Sequence, residues 1–258
     1  MRILSINNNG ASFKANLLAQ YRCFLEGTKD VKRVSVALLD TTDGYFVKKM
    51  VQKQGDFLSG DKDRDDILVH TIKTLKQIYL SPKKLSEKTK CFMSFHDDKP
   101  CGLLIANMSK INEKGKVVYS SRHNAVKGET EIDLLVTWGN KNSKIRGVGK
   151  ALVLEYFKTA KKDKFKDIFL KSELPENSFA QNFYEKMGFV KFFDKRMKWK
   201  SKTTSSYIIP NFVNPSDMII PMIITPSRRD KVIAKTVKTM ACQEFKTHPV
   251  NMSEIVNL

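Results

Sequence analysis

Cysteine is scarce in this chain, which has four cysteines and four histidines among 258 residues. The cysteines are far apart, and no pair has the Cys-x-x-Cys spacing of a zinc site or a redox motif. The histidines are equally isolated along the sequence. The sequence therefore predicts free thiols in a reducing compartment, the cytoplasm, and no metal.

Long apolar segments are also absent from the sequence. The longest candidate, Met218 to Ile224, is interrupted by Pro221, and a membrane-spanning helix needs about 20 apolar residues. The first nine residues contain no continuous apolar segment of the kind found in a secretion signal. The sequence thus predicts a protein without a membrane span.

Acidic residues are few relative to basic ones, 27 against 46, which gives a formal net charge of +19. Such a surplus permits binding to nucleic acid or to another acidic partner. Most of the cations are lysines, however, spread over predicted helices and loops without interleaved aromatic residues. The composition therefore does not favour nucleic acid as a partner. Between Lys141 and Lys202 basic residues outnumber acidic ones 17 to 7, so we expect a cofactor with several phosphates to bind there.

The most informative stretch of the sequence runs from Glu131 to Phe189. An apolar segment, residues 132–138, predicts a buried strand, which ends in the loop formers of residues 139–143. Gly147 and Gly149 follow at the start of a segment whose apolar residues have helical spacing. This pattern predicts a strand, a loop and a helix that begins with glycines.

The charge at the start of that helix is unusual. A helix N-terminus favours acidic residues, yet Lys144, Arg146 and Lys150 surround this one. A bound anion would explain them, because glycines let backbone N–H groups approach phosphate oxygens. The segment is neither a P-loop, whose first glycine is replaced by Lys144, nor a dinucleotide fingerprint, whose third glycine is replaced by Leu152. We interpret residues 144–150 as a diphosphate cradle, with a tight helix-entry turn as the alternative.

A second strand and helix complete the stretch. Residues 166–171 predict a short strand, and Pro175-Glu176-Asn177 begins a helix that ends at Gly188. Asn177, Gln181 and Tyr184 fall at i, i+4 and i+7, so their polar ends share one helix face. This face is expected to line a cleft.

Two blocks of this stretch resemble the acetyl-CoA-binding core of the GNAT acetyltransferase superfamily. Lys-Ile-Arg-Gly-Val-Gly at residues 144–149 is similar to the family's Gln/Arg-x-x-Gly-x-Gly/Ala, and Asn177 with Tyr-Glu-Lys-Met-Gly-Phe at residues 184–189 is similar to its second motif. Lys144 replaces the usual Gln or Arg, and the loop before Gly147 is a few residues longer than is common. The resemblance implies a mixed α/β fold with a splayed mixed sheet flanked by helices. It also implies acetyl-CoA as the acyl donor, with no metal.

The resemblance further implies roles for individual residues. Tyr184 would be the acid that protonates the departing thiolate. From position alone, Glu131 and Asp133 lie on one side of the strand that leads to the cleft, so either could be the base, directly or through water, with Glu131 as our candidate. The alternative is that both are solvent-exposed residues at the start of the strand. The residues expected to bind the cofactor are Leu134, Leu135 and Val136 for the pantetheine arm, Lys144, Ile145, Arg146, Gly147, Val148, Gly149 and Lys150 for the diphosphate, and Asn177 for a pantetheine amide.

Three regions are predicted along the chain. Residues 1–30 form an N-terminal extension with an amphipathic helix between Ser12 and Gly27. Residues 31–200 form the acetyltransferase domain. Residues 201–258 form a C-terminal extension with a helix from Ser227 to Phe245, which could cover the cleft, extend the sheet or mediate a homodimer.

The function predicted from the sequence is transfer of an acetyl group from acetyl-CoA to a primary amine. The amine belongs to a small molecule or a protein that the sequence does not identify. Two other hypotheses stand beside it. The chain could bind acyl-CoA without turnover, or it could be a basic nucleic-acid-binding protein whose glycine loop contacts backbone phosphates.

Overall fold

The computed structural model describes residues 14–40, 43–58, 60, 62–80, 89–97, 99–108, 130–138, 144–173, 178–191, 219–244 and 249–251. Their strands form one sheet of eleven strands. The strands are β1 (Lys14–Leu25), β2 (Val31–Leu39), β3 (Thr89–His96), β4 (Lys99–Met108), β5 (Thr130–Thr137), β6 (Ile145–Arg146), β7 (Ile168–Glu173), β8 (Val190–Lys191), β9 (Ile219–Ile224), β10 (Ala241–Glu244) and β11 (Pro249–Asn251). The helices are α1 (Gly44–Gln52), α2 (Lys62–Leu80), α3 (Val148–Lys162), α4 (Ser178–Lys186) and α5 (Pro226–Met240), with a 3₁₀ helix at Gln54–Phe57.

The strand order in the sheet is β10-β1-β2-β3-β4-β5-β7-β9-β8, and β6 and β11 also pair with β1. Every pairing is antiparallel except that of β5 with β7. A parallel pair needs a long crossover connection, and α3 lies within this one. The sheet is thus mixed and flanked by helices, which confirms the predicted fold class.

Helices cover both faces of this sheet. On one face α3 and α5 pack over a core that includes Val36, Phe92 and Leu104. On the other face α1 and α2 pack over a second core that includes Met93 and Leu103. We call these the α3 face and the α2 face. None of the described helices is long and apolar enough to cross a membrane.

The first described element is a strand, so the amphipathic helix predicted within residues 1–30 is wrong. Buried Ala19, Tyr21 and Cys23 alternate with more exposed residues along β1, which is the two-residue period of a strand. The leucines and aromatics of this segment also satisfy a helical spacing. Pairing with β2 along nearly the whole strand favours the extended form.

The C-terminal part of the chain extends the sheet. β9 lies between β7 and β8, and β10 and β11 pair with β1. The predicted helix is present as α5, but it ends at Met240 rather than at Phe245, because residues 241–244 form β10. The division of the chain at residues 30 and 200 and the homodimer stay predictions.

Candidate functional site

Strands β5 and β7 are paired over three residues only. Residues 130–132 of β5 face residues 168–170 of β7, after which β5 continues to Thr137 and β7 to Glu173. Each strand keeps its other neighbour to the end, β4 for β5 and β9 for β7. The two strands therefore diverge, and residues 134–136 of β5 form an edge that faces no other strand in the described part of the chain.

A β-bulge marks the point at which they diverge. The register between β5 and β4 shifts between Ile132 and Leu134, so Asp133 is the extra residue. A bulge bends its strand and increases the local twist, which explains why β5 turns away from β7 directly after Ile132. The Asp133 carboxylate accepts a hydrogen bond from Asn107 Nδ2 of β4. This bond ties Asp133, the other candidate for the catalytic base, to β4.

The N-terminus of α3 lies beyond the end of β5 and has no capping group. Gly147 is the N-cap, with a left-handed φ of +101°, and no side-chain capping hydrogen bond to the first turn is found among the described residues. The first amide with a backbone acceptor is that of Ala151, which donates to Gly147 O at 2.9 Å. The N–H groups of Val148, Gly149 and Lys150 are therefore left for another acceptor.

The two glycines of the cradle have different surroundings. A Cβ added to Gly147 would lie 3.3 Å from both Cys23 Sγ and Met240 Cε, and its positive φ disfavours any side chain. A Cβ added to Gly149 would lie 3.6 Å from Thr137 Cγ2 and 3.6 Å from Phe183 Cζ, which are ordinary contacts. Gly147 thus shapes the turn, whereas Gly149 lies between the end of β5 and α4.

Two of the cradle cations share one carboxylate. Lys144 Nζ lies 3.2 Å from Glu26 Oε2, and Arg146 Nε lies 3.3 Å from Glu26 Oε1. The Glu26 amide also donates to Lys144 O at 2.8 Å. Hydrogen bonding to Lys144, and then to Arg146, holds the pKa of Glu26 below its ordinary value. Lys150 makes no ion pair within the described residues.

Sequence reasoning missed Glu26, which stands 120 residues before Arg146 in a segment that was predicted to be a helix. It also missed Met240, which packs against Gly147 from α5. No local motif marks either residue. Only the pairing of β6 with the end of β1 brings Glu26 to the cradle.

Tyr184 lies on α4 and packs against the core of the α3 face. Its ring meets the rings of Phe183 and Phe189 edge-on, with centroids 5.2 and 5.7 Å apart. Burial raises the pKa of the phenol above its ordinary value, so the hydroxyl stays protonated at neutral pH. The structure gives this hydroxyl no hydrogen bond to the described residues, and it can serve as a donor.

Glu131 is half-buried in β5, beside the last residue that pairs with β7. Its neighbour Thr130 accepts a hydrogen bond from Tyr156 of α3 at 2.8 Å, and Ile132 belongs to the core of the α3 face. Because side chains alternate along a strand, Glu131 faces the α2 face. The two predicted catalytic residues thus lie on opposite faces of the sheet.

The remaining predicted site residues are placed as follows. Leu134 and Val136 pack on the α2 face, and Leu135 packs on the α3 face. Ile145 is half-buried in β6, where it pairs with Leu25. Asn177 lies outside the described residues. No group of three or more His, Cys, Asp or Glu residues in the described ranges could hold a metal ion.

A cavity of about 270 Å³ lies beside the end of β5. Residues 135–138 line one side, Phe57 and Leu68 line another, and Lys144 and Ile145 belong to its wall. The ring centroids of Trp138 and Phe57 are 6.5 Å apart. The buried indole N–H of Trp138 has no hydrogen-bond partner among the described residues. The cavity therefore adjoins both the free edge of β5 and the cradle.

Residues 65–189 match the model described as the acetyltransferase (GNAT) family. This part of the chain belongs to the GNAT acetyltransferase family. The match spans α2 to the end of α4 and contains the diverging strands, the cradle and Tyr184. No curated protein matches the sequence.

Several solved structures of acetyltransferases are similar to this chain. The ribosomal-protein-S18-alanine N-acetyltransferase from Escherichia coli is 14% identical, with a TM-score of 0.43 over 74% of this chain and 93% of that protein. An acetyltransferase from Bacillus subtilis in complex with CoA is 17% identical, with a TM-score of 0.38, and the match covers 65% of this chain and 94% of that protein. The PaiA N-acetyltransferase from Thermoplasma acidophilum in complex with coenzyme A is 15% identical, with a TM-score of 0.38, and the match covers 74% of this chain and 98% of that protein.

Proposed function

We propose that this GNAT acetyltransferase transfers an acetyl group from acetyl-CoA to a primary amine of a small molecule or a protein. The observation that carries the proposal is the divergence of β5 from β7 beside an uncapped helix N-terminus. The divergence provides a free strand edge, and the helix provides unbonded N–H groups next to cations. We place the reaction in the cytoplasm, and no metal takes part.

The described residues offer partners for two parts of acetyl-CoA, the pantetheine arm and the diphosphate. The backbone of Leu134, Leu135 and Val136 can pair with the amides of a pantetheine arm as an added strand would. The N–H groups of residues 148–150 can bond diphosphate oxygens, and Lys144 and Arg146 supply charge from the same loop. Ile145, between these cations, holds the loop to β1. Asn177 stays a proposed pantetheine contact.

Acetyl-CoA supplies an acetyl group activated as a thioester. In the transfer, a C–N bond forms to the amine and the C–S bond breaks. We propose that the reacting groups meet in the gap between β5 and β7, which both faces of the sheet adjoin. Glu131 accepts the proton that the amine loses from one face, directly or through water, and Tyr184 donates a proton to the sulfur from the other face. A backbone N–H of the free β5 edge can stabilise the charge that develops on the acetyl oxygen, an effect worth about 3 kcal/mol in comparable sites.

The test combines cofactor binding with turnover. Acetyl-CoA is expected to raise the Tm, and thiol release is expected with at least one member of a panel of primary amines that includes lysine peptides and arylalkylamines. Glu131→Gln should keep the rise in Tm and lower kcat/KM by roughly 100-fold or more, the usual contribution of a general base. A rise in Tm without thiol release from any amine would favour an acyl-CoA-binding protein without turnover. No rise at all would reject the proposal.

Glu26→Gln is expected to strengthen CoA binding roughly two- to fivefold, a small effect because exposed ion pairs are weak. In the wild type, Lys144 and Arg146 must exchange a carboxylate for phosphate oxygens, and the substitution removes that competitor. Isothermal titration with CoA measures the change. Asp163→Asn is the control, because it breaks an ion pair with Lys90 at the other end of α3. Weaker binding by the Glu26 variant would instead show that this carboxylate orients the cations for phosphate.

A further inference from the structure

Helix α5 presents a row of cations to solvent. Its buried and half-buried residues, among them Arg229, Val232, Thr236 and Met240, pack on the core of the α3 face. Arg228, Lys231, Lys235 and Lys238 are exposed on the opposite side. We call these four residues the basic face. Their spacing of three, four and three places them in one line along about 15 Å of helix.

No acidic residue of the described chain neutralises the basic face. None of its four members makes an ion pair within the described residues. The single acid of α5, Asp230, lies 3.2 Å from Lys161 Nζ and 3.6 Å from Arg229 Nε, so its charge is already engaged. Like charges at i, i+3 and i+4 repel and weaken a helix. The row thus carries a cost that no described contact offsets.

The first turn of α5 lies beside the C-terminal end of α3. Arg229 Nη1 donates to Phe165 O at 2.7 Å, and the Lys161–Asp230 pair joins the same helix ends. These contacts hold the first turn of α5 beside the C-terminus of α3. Three further exposed lysines without an ion pair in the described chain follow there: Lys162, Lys164 and Lys166.

The residues around the basic face indicate which kind of polyanion it could bind: an acidic protein, an anionic membrane or a nucleic acid. Its other exposed α5 residues are Ser227, Ala234 and Thr239, and no large apolar side chain accompanies them. Tight protein interfaces use aromatic anchors, and membrane-surface helices insert apolar residues, so neither partner fits well. A phosphodiester backbone needs only cations and hydroxyl donors.

We propose that the basic face of α5, with the lysines at the end of α3, binds the phosphate backbone of nucleic acid independently of base sequence. This differs from the expectation drawn from composition, because α5 brings four exposed cations into one line and lies beside the lysine-rich end of α3. The site lies on α5 and the C-terminal end of α3, so it does not rest on the proposed acetyltransferase activity.

The test is fluorescence anisotropy with a labelled DNA duplex of about 20 base pairs and the corresponding RNA duplex, each in two unrelated sequences, over a series of NaCl concentrations. The variant replaces all four residues of the basic face: Arg228→Gln, Lys231→Gln, Lys235→Gln and Lys238→Gln. The matched control removes four exposed lysines on α1 and α2: Lys48→Gln, Lys62→Gln, Lys73→Gln and Lys76→Gln. Both variants lose the same net charge, from opposite faces of the sheet.

Wild type is expected to bind both sequences equally, with an affinity that falls steeply as salt rises. The basic-face variant should bind at least roughly 10-fold more weakly, and its slope of log affinity against log salt should fall by about 3.6, which is about 0.9 for each of the four lost phosphate contacts. The control should keep at least half of the wild-type affinity. Equal losses in both variants would show a net-charge effect only and overturn the proposal. It would also be overturned if wild type bound phosphatidylserine vesicles or polyglutamate more tightly than the duplexes, or if it bound no duplex.

Discussion

Gly149→Asp is expected to lower the affinity for CoA by at least roughly 100-fold. The new carboxylate would stand in the first turn of α3, and at about 4 Å from a phosphate oxygen the repulsion is about 4 kcal/mol at an effective dielectric constant near 20. The fold should tolerate the change, because the new Cβ makes only ordinary contacts with Thr137 and Phe183. An acid in the first turn also stabilises a helix. Isothermal titration with CoA and a thermal melt measure the two effects separately.

Gly149→Ala is the matched control for this variant. It adds the same Cβ without the charge, and we expect it to weaken CoA binding less than about 10-fold while leaving the Tm unchanged or higher. Similar losses in both variants would show that the cradle is blocked sterically. Full CoA affinity in the Asp variant would mean that no phosphate binds at this helix terminus. Gly147 is a poor position for the same test, since its φ of +101° and its contacts with Cys23 and Met240 would make any substitution report on stability.

Tyr184→Phe is expected to lower kcat by roughly 100-fold or more while CoA binding stays within about twofold of wild type. The variant removes one hydroxyl, which the structure leaves without a hydrogen bond to the described residues, and general acids typically contribute a factor of about 100 to 10,000. The ring contacts with Phe183 and Phe189 are kept. Steady-state kinetics and CoA titration on the same preparation distinguish the two effects.

The pH dependence gives an independent check on Tyr184. Burial raises the pKa of its phenol, so the hydroxyl stays protonated to a higher pH than that of a free tyrosine, whose pKa is about 10. The wild-type rate should therefore show no loss assignable to this group below that pH. An unchanged kcat in the Phe variant would remove the acid role and leave Tyr184 as a packing residue.

Local patterns were sufficient to predict the centre of the fold. The β3–β4 hairpin, β5, α3, β7 and α4 each carry a clear period and clear end signals, such as the loop formers after β5 and Gly188, which has a φ of +87°. The fold class and the family followed from the order of these elements and their glycines. Sequence spacing also placed Lys144, Arg146 and Lys150 around one helix terminus, as the structure confirms.

Pairing between strands that are distant in the sequence determines the features that local patterns did not predict. The leucines and aromatics of residues 14–25 satisfy both a helix and a strand, and only β2 and the C-terminal strands favour the strand. The bulge at Asp133 depends on register with β4, which no single strand encodes. The ion pairs of Glu26 with Lys144 and Arg146 likewise depend on β6 pairing with β1.

The contact between Met240 and Gly147 links the end of α5 to the turn at the start of α3. A ribosome makes residue 240 long after residue 147, so the nascent chain has its glycine motif well before the side chain that supports it. The turn at Gly147 thus acquires its complete packing only late in synthesis. A truncated chain that ends before α5 would contain the complete glycine motif. It would still lack Met240, which packs against Gly147.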